Sequence, residues 1–156
     1  MNINFNTLKE EFLEKLDENK FGVLATSVND RVSARTMSIV NIGLKIYMQT
    51  HQDFLKYKQI KKNGNIALCF NNTQIEGIAR ITGSPFNEKN QEFLEMYKKF
   101  HNGSFDMYTK LEGVIVIEID PKIVSFWKYI DAIPYVDRLY LDEKKAVRQK
   151  QKISKT

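Results

Sequence analysis

The 156-residue chain contains one cysteine, one tryptophan, two histidines and three prolines. A single cysteine, Cys69, excludes an intramolecular disulfide and a cysteine metal cluster, and its apolar neighbours predict a buried side chain. No apolar run approaches the roughly 18 residues of a transmembrane helix. The first residues do not have the pattern of a signal peptide. We therefore expect a cytoplasmic protein without a membrane partner.

The chemical motifs of several large enzyme classes are also missing. The sequence has no Gly-x-Gly-x-x-Gly, no Walker loop, no His-Glu-x-x-His and no paired cysteines. Rossmann-type nucleotide binding and zinc chemistry are therefore not expected, and no metal site is predicted.

The composition is that of a globular domain, with 42% hydrophobic and 12% aromatic residues. The net charge of +5 is concentrated in the C-terminal residues. A short basic tail of this kind is typical of a solvated helix or a frayed end, so nucleic-acid binding is only an alternative. We expect one domain over residues 1–143 and a basic tail over residues 144–156.

Hydrophobic periodicity predicts three helices and several short strands. A capping-box pattern at Thr7 begins the first helix. The predicted helices are Thr7–Asn19, Asp53–Asn63 and Asn87–Phe100. The predicted strands are Phe21–Ser27, Arg31–Val40, Leu44–Thr50, Ile66–Asn71, Gln74–Gly83, Val114–Ile119 and, after a turn at Asp120-Pro121, Lys122–Trp127. Short turns between most strands favour an α+β domain with mainly antiparallel β structure, closed into a small barrel.

One predicted strand contains a charge in an unusual place. Arg35 shares a strand face with Ser33, Met37 and Ile39, a face that becomes apolar beyond the arginine. A charge at such a border needs an anion or an open edge. Thr50 at the end of the next strand and Lys56 in the following helix supply a hydroxyl and a second cation. These groups together predict a phosphate site.

The order of motifs resembles a known family. The arginine strand is followed by a strand that ends at Thr50 and by a lysine-bearing helix that ends in Asn-Gly-Asn. The helix is followed by an Ile-x-Leu-x-Phe strand and by Ile75-Glu-Gly-Ile-Ala79. This order resembles the pyridoxamine 5′-phosphate oxidase-like FMN-binding split barrels. The resemblance covers about residues 21–83 and returns at residues 124–128 and 137–138.

The resemblance implies a six-stranded split β-barrel with peripheral helices, and a homodimer with FMN at the subunit interface. It implies that Arg35, Thr50 and Lys56 hold the FMN phosphate. Gln49 and the backbone around Met37 and Ser38 would run beside the flavin ring and ribityl chain. The resemblance also places Asn72, contributed by the partner subunit, together with Trp127 and Arg138, at the flavin.

The sequence departs from the true oxidases at three points. Phe54-Leu55 replaces a Ser-Arg pair before the helix lysine, and Val40 stands in place of a lysine. Residues 128–136 lack the basic residues that hold pyridoxal phosphate. We therefore expect an FMN-dependent oxidoreductase of another kind, which transfers electrons from a reduced nicotinamide or similar donor to a small-molecule acceptor.

Several alternatives remain open at the level of sequence. The chain could be a flavin-binding stress protein without turnover, a nitroimidazole-reductase-like protein with His51 near the flavin, or a relative that binds F420 or haem. Neither His51 nor His101 belongs to a ligand cluster, which weakens the haem alternative. No acid or base stands out as catalytic.

Overall fold

The computed structural model describes residues 1–154. Its ten strands are β1 (Asn2–Ile3), β2 (Phe21–Val28), β3 (Arg31–Ser38), β4 (Val40–Ile42), β5 (Lys45–His51), β6 (Asn65–Phe70), β7 (Thr73–Ile81), β8 (Val114–Ile130), β9 (Ile133–Tyr140) and β10 (Lys145–Lys150). Its main helices are α1 (Phe5–Glu18), α2 (Leu55–Lys62) and α3 (Gln91–Phe100). A 3₁₀ turn (Glu88–Asn90) precedes α3, and a short helical turn (Asn102–Ser104) and a π-helical turn (Phe105–Thr109) follow it.

Six strands form an antiparallel barrel that stays open on one side. Their order is β3-β2-β6-β7-β8-β5, and β4 pairs with the free edge of β5. No ladder joins β3 to β5 in the described structure. The prediction of a six-stranded split barrel is therefore confirmed, and the split lies between β3 and β5.

Strand β8 is continuous where the sequence predicted a turn. Asp120 and Pro121 lie within it, opposite a register shift between Glu76 and Gly77 on β7. Proline is tolerated here because the N–H that it lacks is not required for strand pairing at a bulge. Gly77 is required because a Cβ atom would lie 2.6 Å from the carbonyl oxygen of Asp120. Pro121 therefore bends the strand without ending it.

Helix α1 closes one side of the core and begins earlier than predicted. Its N-cap is Asn4, whose side chain accepts a hydrogen bond from the backbone N–H of Thr7 at 2.9 Å. Thr7 therefore does not cap the helix, because Asn4 already occupies that role one turn earlier. Leu8, Phe12 and Leu16 of this helix are buried against the barrel.

The prediction of a helical or frayed basic tail is wrong for residues 145–150. Residues 145–150 form β10, which pairs with β9 on one side and with β1 on the other. Ala146 is buried in the core, and Arg148 forms an ion pair with Asp137. The strand is stable because its alternate side chains find partners on β9. Residues 155 and 156 of the predicted tail lie outside the described residues.

Two further expectations need correction. The predicted strand Arg31–Val40 ends at Ser38, because Ile39 turns into the core and bonds its N–H to the carbonyl of Lys20. Cys69 is exposed and not buried. On β6 the alternate residues Ile66, Leu68 and Phe70 point inward, so Cys69 must point outward.

No helix within residues 1–154 is long and apolar enough to cross a membrane. The same part of the chain contains no group of three metal-ligating side chains.

Candidate functional site

A cavity of about 580 Å³ lies in the split of the barrel. Strand β3 supplies Thr36, Met37 and Ser38, and strand β5 supplies Gln49, Thr50 and His51. The start of α2 and the residues just before it supply Asp53, Phe54 and Lys56, and the chain after β7 supplies the remaining wall. The missing ladder between β3 and β5 therefore leaves a cavity at which the predicted residues Gln49, Thr50 and Lys56 meet.

Arg35 is not itself among the residues that line this cavity, but it precedes Thr36 of the lining, lies near Lys56 and is anchored from behind. Its Nη1 donates to the hydroxyl of Thr26 at 2.8 Å and to the carbonyl oxygen of Leu24 at 3.4 Å. Thr26 is buried and donates in turn to the side-chain carbonyl of Gln59, which lies on α2. Gln59 donates to the carbonyl oxygen of Arg31. This chain of hydrogen bonds fixes one edge of the guanidinium and leaves the other edge available.

Lys56 reaches the same region from the first turn of α2. Its ammonium group donates to the Thr50 hydroxyl at 3.2 Å and lies 4.9 Å from the centre of the Phe54 ring. Burial, and then the positive charge of Arg35, lower the pKa of Lys56. Burial also lowers the pKa of Arg35. Both groups would therefore be stabilised by an added negative charge.

This negative charge is absent from the protein itself. Within residues 1–154, no carboxylate lies within 4.0 Å of the charged nitrogens of Arg35 or Lys56. No side chain caps the N-terminus of α2, so its first N–H groups are also free to bind an anion. Two uncompensated cations, a hydroxyl and a helix N-terminus are groups whose chemistry suits an anion such as a phosphate.

Gln49 is held with its amide group towards the cavity. The hydroxyl of Thr109, in the π-helical turn, donates to Gln49 Oε1 at 2.9 Å. Gln49 Nε2 has no hydrogen-bond partner in the described chain. Every side-chain nitrogen or oxygen there that is fully shielded from solvent does have a partner. The Nε2 group is therefore open to the cavity and can donate to a bound ligand.

His51 also lines the cavity, but both of its ring nitrogens are already used. Nδ1 accepts from the backbone N–H of Asp53 at 3.1 Å, so Nε2 carries the proton and donates to the carbonyl of Glu112 at 2.9 Å. Gly113 leaves space for this ring, since a Cβ atom there would lie 2.6 Å from Nε2. His51 thus ties two loops together at the cavity.

The remaining predicted residues lie elsewhere in the chain. Asn72 is in the turn between β6 and β7, and its amide nitrogen donates to the carbonyl oxygen of Trp127 at 2.7 Å. Arg138 lies on β9 and donates to Gln149. None of these three residues lines the cavity within one chain. The structure therefore brings predicted residues such as Gln49, Thr50 and Lys56 together at the cavity, and it places these three elsewhere.

Several residues of the site could not be found from the sequence. Thr26 and Gln59 support Arg35, and Tyr97 and Ser104 line the cavity. No motif marks them, because each reaches the site through a tertiary contact with a distant strand or helix.

Comparisons with known proteins agree with this architecture. No model of a protein family matches the sequence. General stress protein 26 of Bacillus subtilis is 26% identical over 129 residues, which cover 77% of this chain and 88% of that protein.

Two solved structures are similar over most of the chain. General Stress Protein 26 from Bacillus anthracis has a TM-score of 0.61 at 22% identity, covering 85% of this chain and 98% of that one. A pyridoxamine 5′-phosphate oxidase-related, FMN-binding protein from Nostoc punctiforme has a TM-score of 0.65 at 12% identity, covering 97% and 98%. The chain therefore has the fold that the sequence resemblance predicted, and its structural neighbours include the proteins that the resemblance names.

Proposed function

We propose that the protein binds FMN, with the phosphate between Arg35 and Lys56. The observation that carries this proposal is the pair of cations, which have no carboxylate partner within residues 1–154. A phosphate group would stabilise the charged forms of Arg35 and Lys56. It would also accept a hydrogen bond from the hydroxyl of Thr50. The cavity volume of about 580 Å³ is in the range of cofactor sites.

The other cavity residues suit the rest of this cofactor. Gln49 Nε2 would donate to the flavin ring, which presents carbonyl oxygens and ring nitrogens. Met37 and Ser38 would lie beside the ring and ribityl chain, since they form the edge of β3 at the split. We assign these residues a binding role and not a catalytic one.

We further propose that the protein is an oxidoreductase. Bound FMN would supply hydride and electron transfer, between a reduced nicotinamide and a small acceptor. Arg35, Thr50 and Lys56 would hold the cofactor in position, and Phe54 and Tyr108 would restrict water near it. No side chain is required to act as an acid or base. Steady oxidation of NADPH in the presence of an acceptor would distinguish this activity from a flavin-binding stress protein without turnover.

We propose that two copies assemble through the outer face of the barrel. This outer face carries exposed apolar side chains from neighbouring strands: Phe21, Val23, Val32, Ile78, Trp127 and Tyr129. Thr36 and Ser38 pair with Val23 and Phe21 at its border and also line the cavity. A second copy on this face would cover the apolar surface. It would also offer a route for the partner's Asn72, Trp127 and Arg138 to reach the flavin.

Replacing Val23 with lysine is expected to prevent this assembly, because a charge would be buried at the centre of the outer face. Val23 is half exposed in one chain, so the monomer should fold normally. Light scattering after size exclusion should report a dimer for the native protein and a monomer for Val23→Lys. Phe86→Lys, which changes an exposed apolar residue in the loop after β7 and not on a barrel strand, should remain dimeric. A monomeric native protein would contradict the proposal.

The FMN proposal is tested by comparing FMN with riboflavin, which differs only in lacking the phosphate. The freshly purified protein should show a flavin absorbance spectrum. After removal of the cofactor, the protein should bind FMN at least about 100-fold more tightly than riboflavin, because charge-assisted hydrogen bonds to the phosphate are lost with riboflavin. Equal affinity would contradict a phosphate site.

The same spectrum distinguishes the other cofactors. A Soret band would indicate haem, and an F420 spectrum would indicate the deazaflavin. Haem is disfavoured by the histidines, since both nitrogens of His51 are bonded and His101 is buried with Nε2 2.9 Å from the carbonyl of Ile39. A histidine role of the nitroimidazole-reductase type would likewise require His51 to leave its present partners.

A further inference from the structure

One wall of the cavity carries no charged side chain. This wall is formed by α3 and the segment that follows it, through Tyr97, Ser104, Tyr108, Leu111 and Val114. It differs from the part of the cavity near α2, where Lys56 and the nearby Arg35 are both positive. A cofactor phosphate at the cationic part would leave this uncharged wall for a second ligand.

The rim of the cavity exposes unusually large apolar side chains. Phe54, Tyr108 and Leu111 are 55%, 51% and 53% exposed. Three such residues around one opening form a surface that a flat, apolar molecule would cover. The π-helical turn that carries Tyr108 is held to the barrel by the hydrogen bond from Thr109 to Gln49. This hydrogen bond therefore fixes the part of the apolar surface that carries Tyr108.

The uncharged wall also has one hydrogen-bond donor to spare. The hydroxyl oxygens of Tyr97 and Ser104 lie 2.9 Å apart, and either can donate to the other. Two hydroxyl groups carry two hydrogens, and this single contact uses only one of them. Neither hydroxyl makes a second hydrogen bond in the described chain. One O–H is thus left to donate to a carbonyl oxygen of a ligand.

An anionic ligand has no counter-charge at this wall. Both ring nitrogens of His51 are engaged by Asp53 and Glu112, so the ring offers no free N–H to an anion. The carboxylate of Asp53 lies at the cavity rim and would repel an anion. Lys56 would already be engaged by the cofactor phosphate. Among electron acceptors that bind at this wall, the site should therefore favour uncharged molecules over negatively charged ones.

From these observations we propose that the second ligand is a quinone, a flat, uncharged and conjugated cyclic dicarbonyl that acts as the electron acceptor. This proposal rests on the FMN proposal above. The quinone would take two electrons and two protons from the reduced cofactor and leave as the hydroquinone, while the cofactor returns to its oxidised form. The free hydroxyl of the Tyr97–Ser104 pair would bind one quinone carbonyl.

The proposal is tested first by binding, without turnover. 1,4-Naphthoquinone, its 2-methyl derivative and its 2-sulfonate are titrated calorimetrically into the oxidised FMN-bound protein. The Cys69→Ala background is used, because quinones add to exposed thiols. We expect both neutral quinones to bind at least about tenfold more tightly than the sulfonate, since like charge and desolvation oppose the anion. The methyl derivative controls for the size of the substituent.

The role of the hydroxyl pair is tested with the double variant Tyr97→Phe/Ser104→Ala. It should weaken naphthoquinone binding by about three- to tenfold, the usual effect of one neutral hydrogen bond. Its affinity for FMN should not change. Tyr140→Phe, on β9 and outside the cavity, removes a tyrosine hydroxyl elsewhere and should bind naphthoquinone like the parent protein.

Rapid mixing under anaerobic conditions supplies the second measurement. The 2-sulfonate is a stronger oxidant than 1,4-naphthoquinone. Slower reoxidation of the reduced protein by the sulfonate would therefore reflect its exclusion from the site. Equal or tighter binding of the sulfonate, or unchanged naphthoquinone affinity in the double variant, would overturn the proposal. If FMN binds and naphthoquinone does not, only the quinone proposal fails. If FMN itself does not bind, both proposals fail.

Discussion

Replacing Arg35 with alanine is expected to weaken FMN binding by about 2–4 kcal/mol, or roughly 30- to 1,000-fold in Kd. The guanidinium is partly buried and has no carboxylate partner within the described chain, so the cofactor phosphate would be its main source of stabilisation. Affinity for riboflavin should change little, because riboflavin lacks the phosphate. The measurement is a fluorescence titration of both flavins.

The control for this prediction lies on the same strand. Arg31 is also an arginine of β3, but it lies at the start of the strand and is exposed, whereas Arg35 is half-buried. Arg31→Ala should retain native affinity for FMN, because the carbonyl that accepts from Gln59 belongs to its backbone. If Arg35→Ala lost FMN and riboflavin equally, the arginine would be acting through the fold and not through a phosphate contact. Thermal unfolding of both variants would detect such a loss of structure.

The charged face of β3 could be predicted because it is a local property of the sequence. Alternation assigned Arg35 to a strand face, and the order of motifs around it resembled a family whose fold is a split barrel. The support for Arg35 could not be predicted in the same way. Thr26 and Gln59 meet only after α2 packs across the barrel opening, and nothing in the spacing of these residues marks that contact.

The errors at the C-terminus have a related physical cause. A segment rich in lysine resembles a solvated tail when its composition alone is considered, yet β10 needs only its alternate residues to find partners. Ala146 meets the core and Arg148 meets Asp137, while the remaining lysines face solvent. The error for Cys69 is the opposite one. The apolar run around Cys69 predicted burial on both faces of its strand, but a single chain covers only one of these faces.

The buried carboxylate of Asp137 is the second feature with a large expected effect. Its side chain is fully buried. It accepts two hydrogen bonds from Arg148, each of 2.8 Å, and forms an ion pair with Lys128 at 3.0 Å. Lys128 also contacts Glu11 on α1 at 2.7 Å. One carboxylate thereby joins α1, β8, β9 and β10.

Replacing Asp137 with asparagine should lower the free energy of unfolding by about 2–4 kcal/mol, because the cations of Arg148 and Lys128 would lose their shared buried partner. For a chain of this size, this corresponds to a melting temperature lower by about 5–15 °C. Asp142→Asn serves as the control. Asp142 pairs with Lys122 at the surface with 69% of its side chain exposed, so its replacement should cost no more than about 0.5 kcal/mol.

The effect of Asp137 should also depend on pH in a defined direction. Burial alone would raise the pKa of this carboxyl, but the hydrogen bonds from Arg148 and Lys128 outweigh burial and lower its pKa below 3.8. The folded state therefore binds the proton less tightly than the unfolded state does. The stabilisation is complete above the unfolded pKa of about 3.9 and is lost as the pH falls through the folded value. The difference between native protein and Asp137→Asn in urea unfolding should thus be constant from pH 7 to about pH 5 and shrink below pH 4. A difference that stayed constant to pH 2 would show that asparagine acts through packing and not through charge.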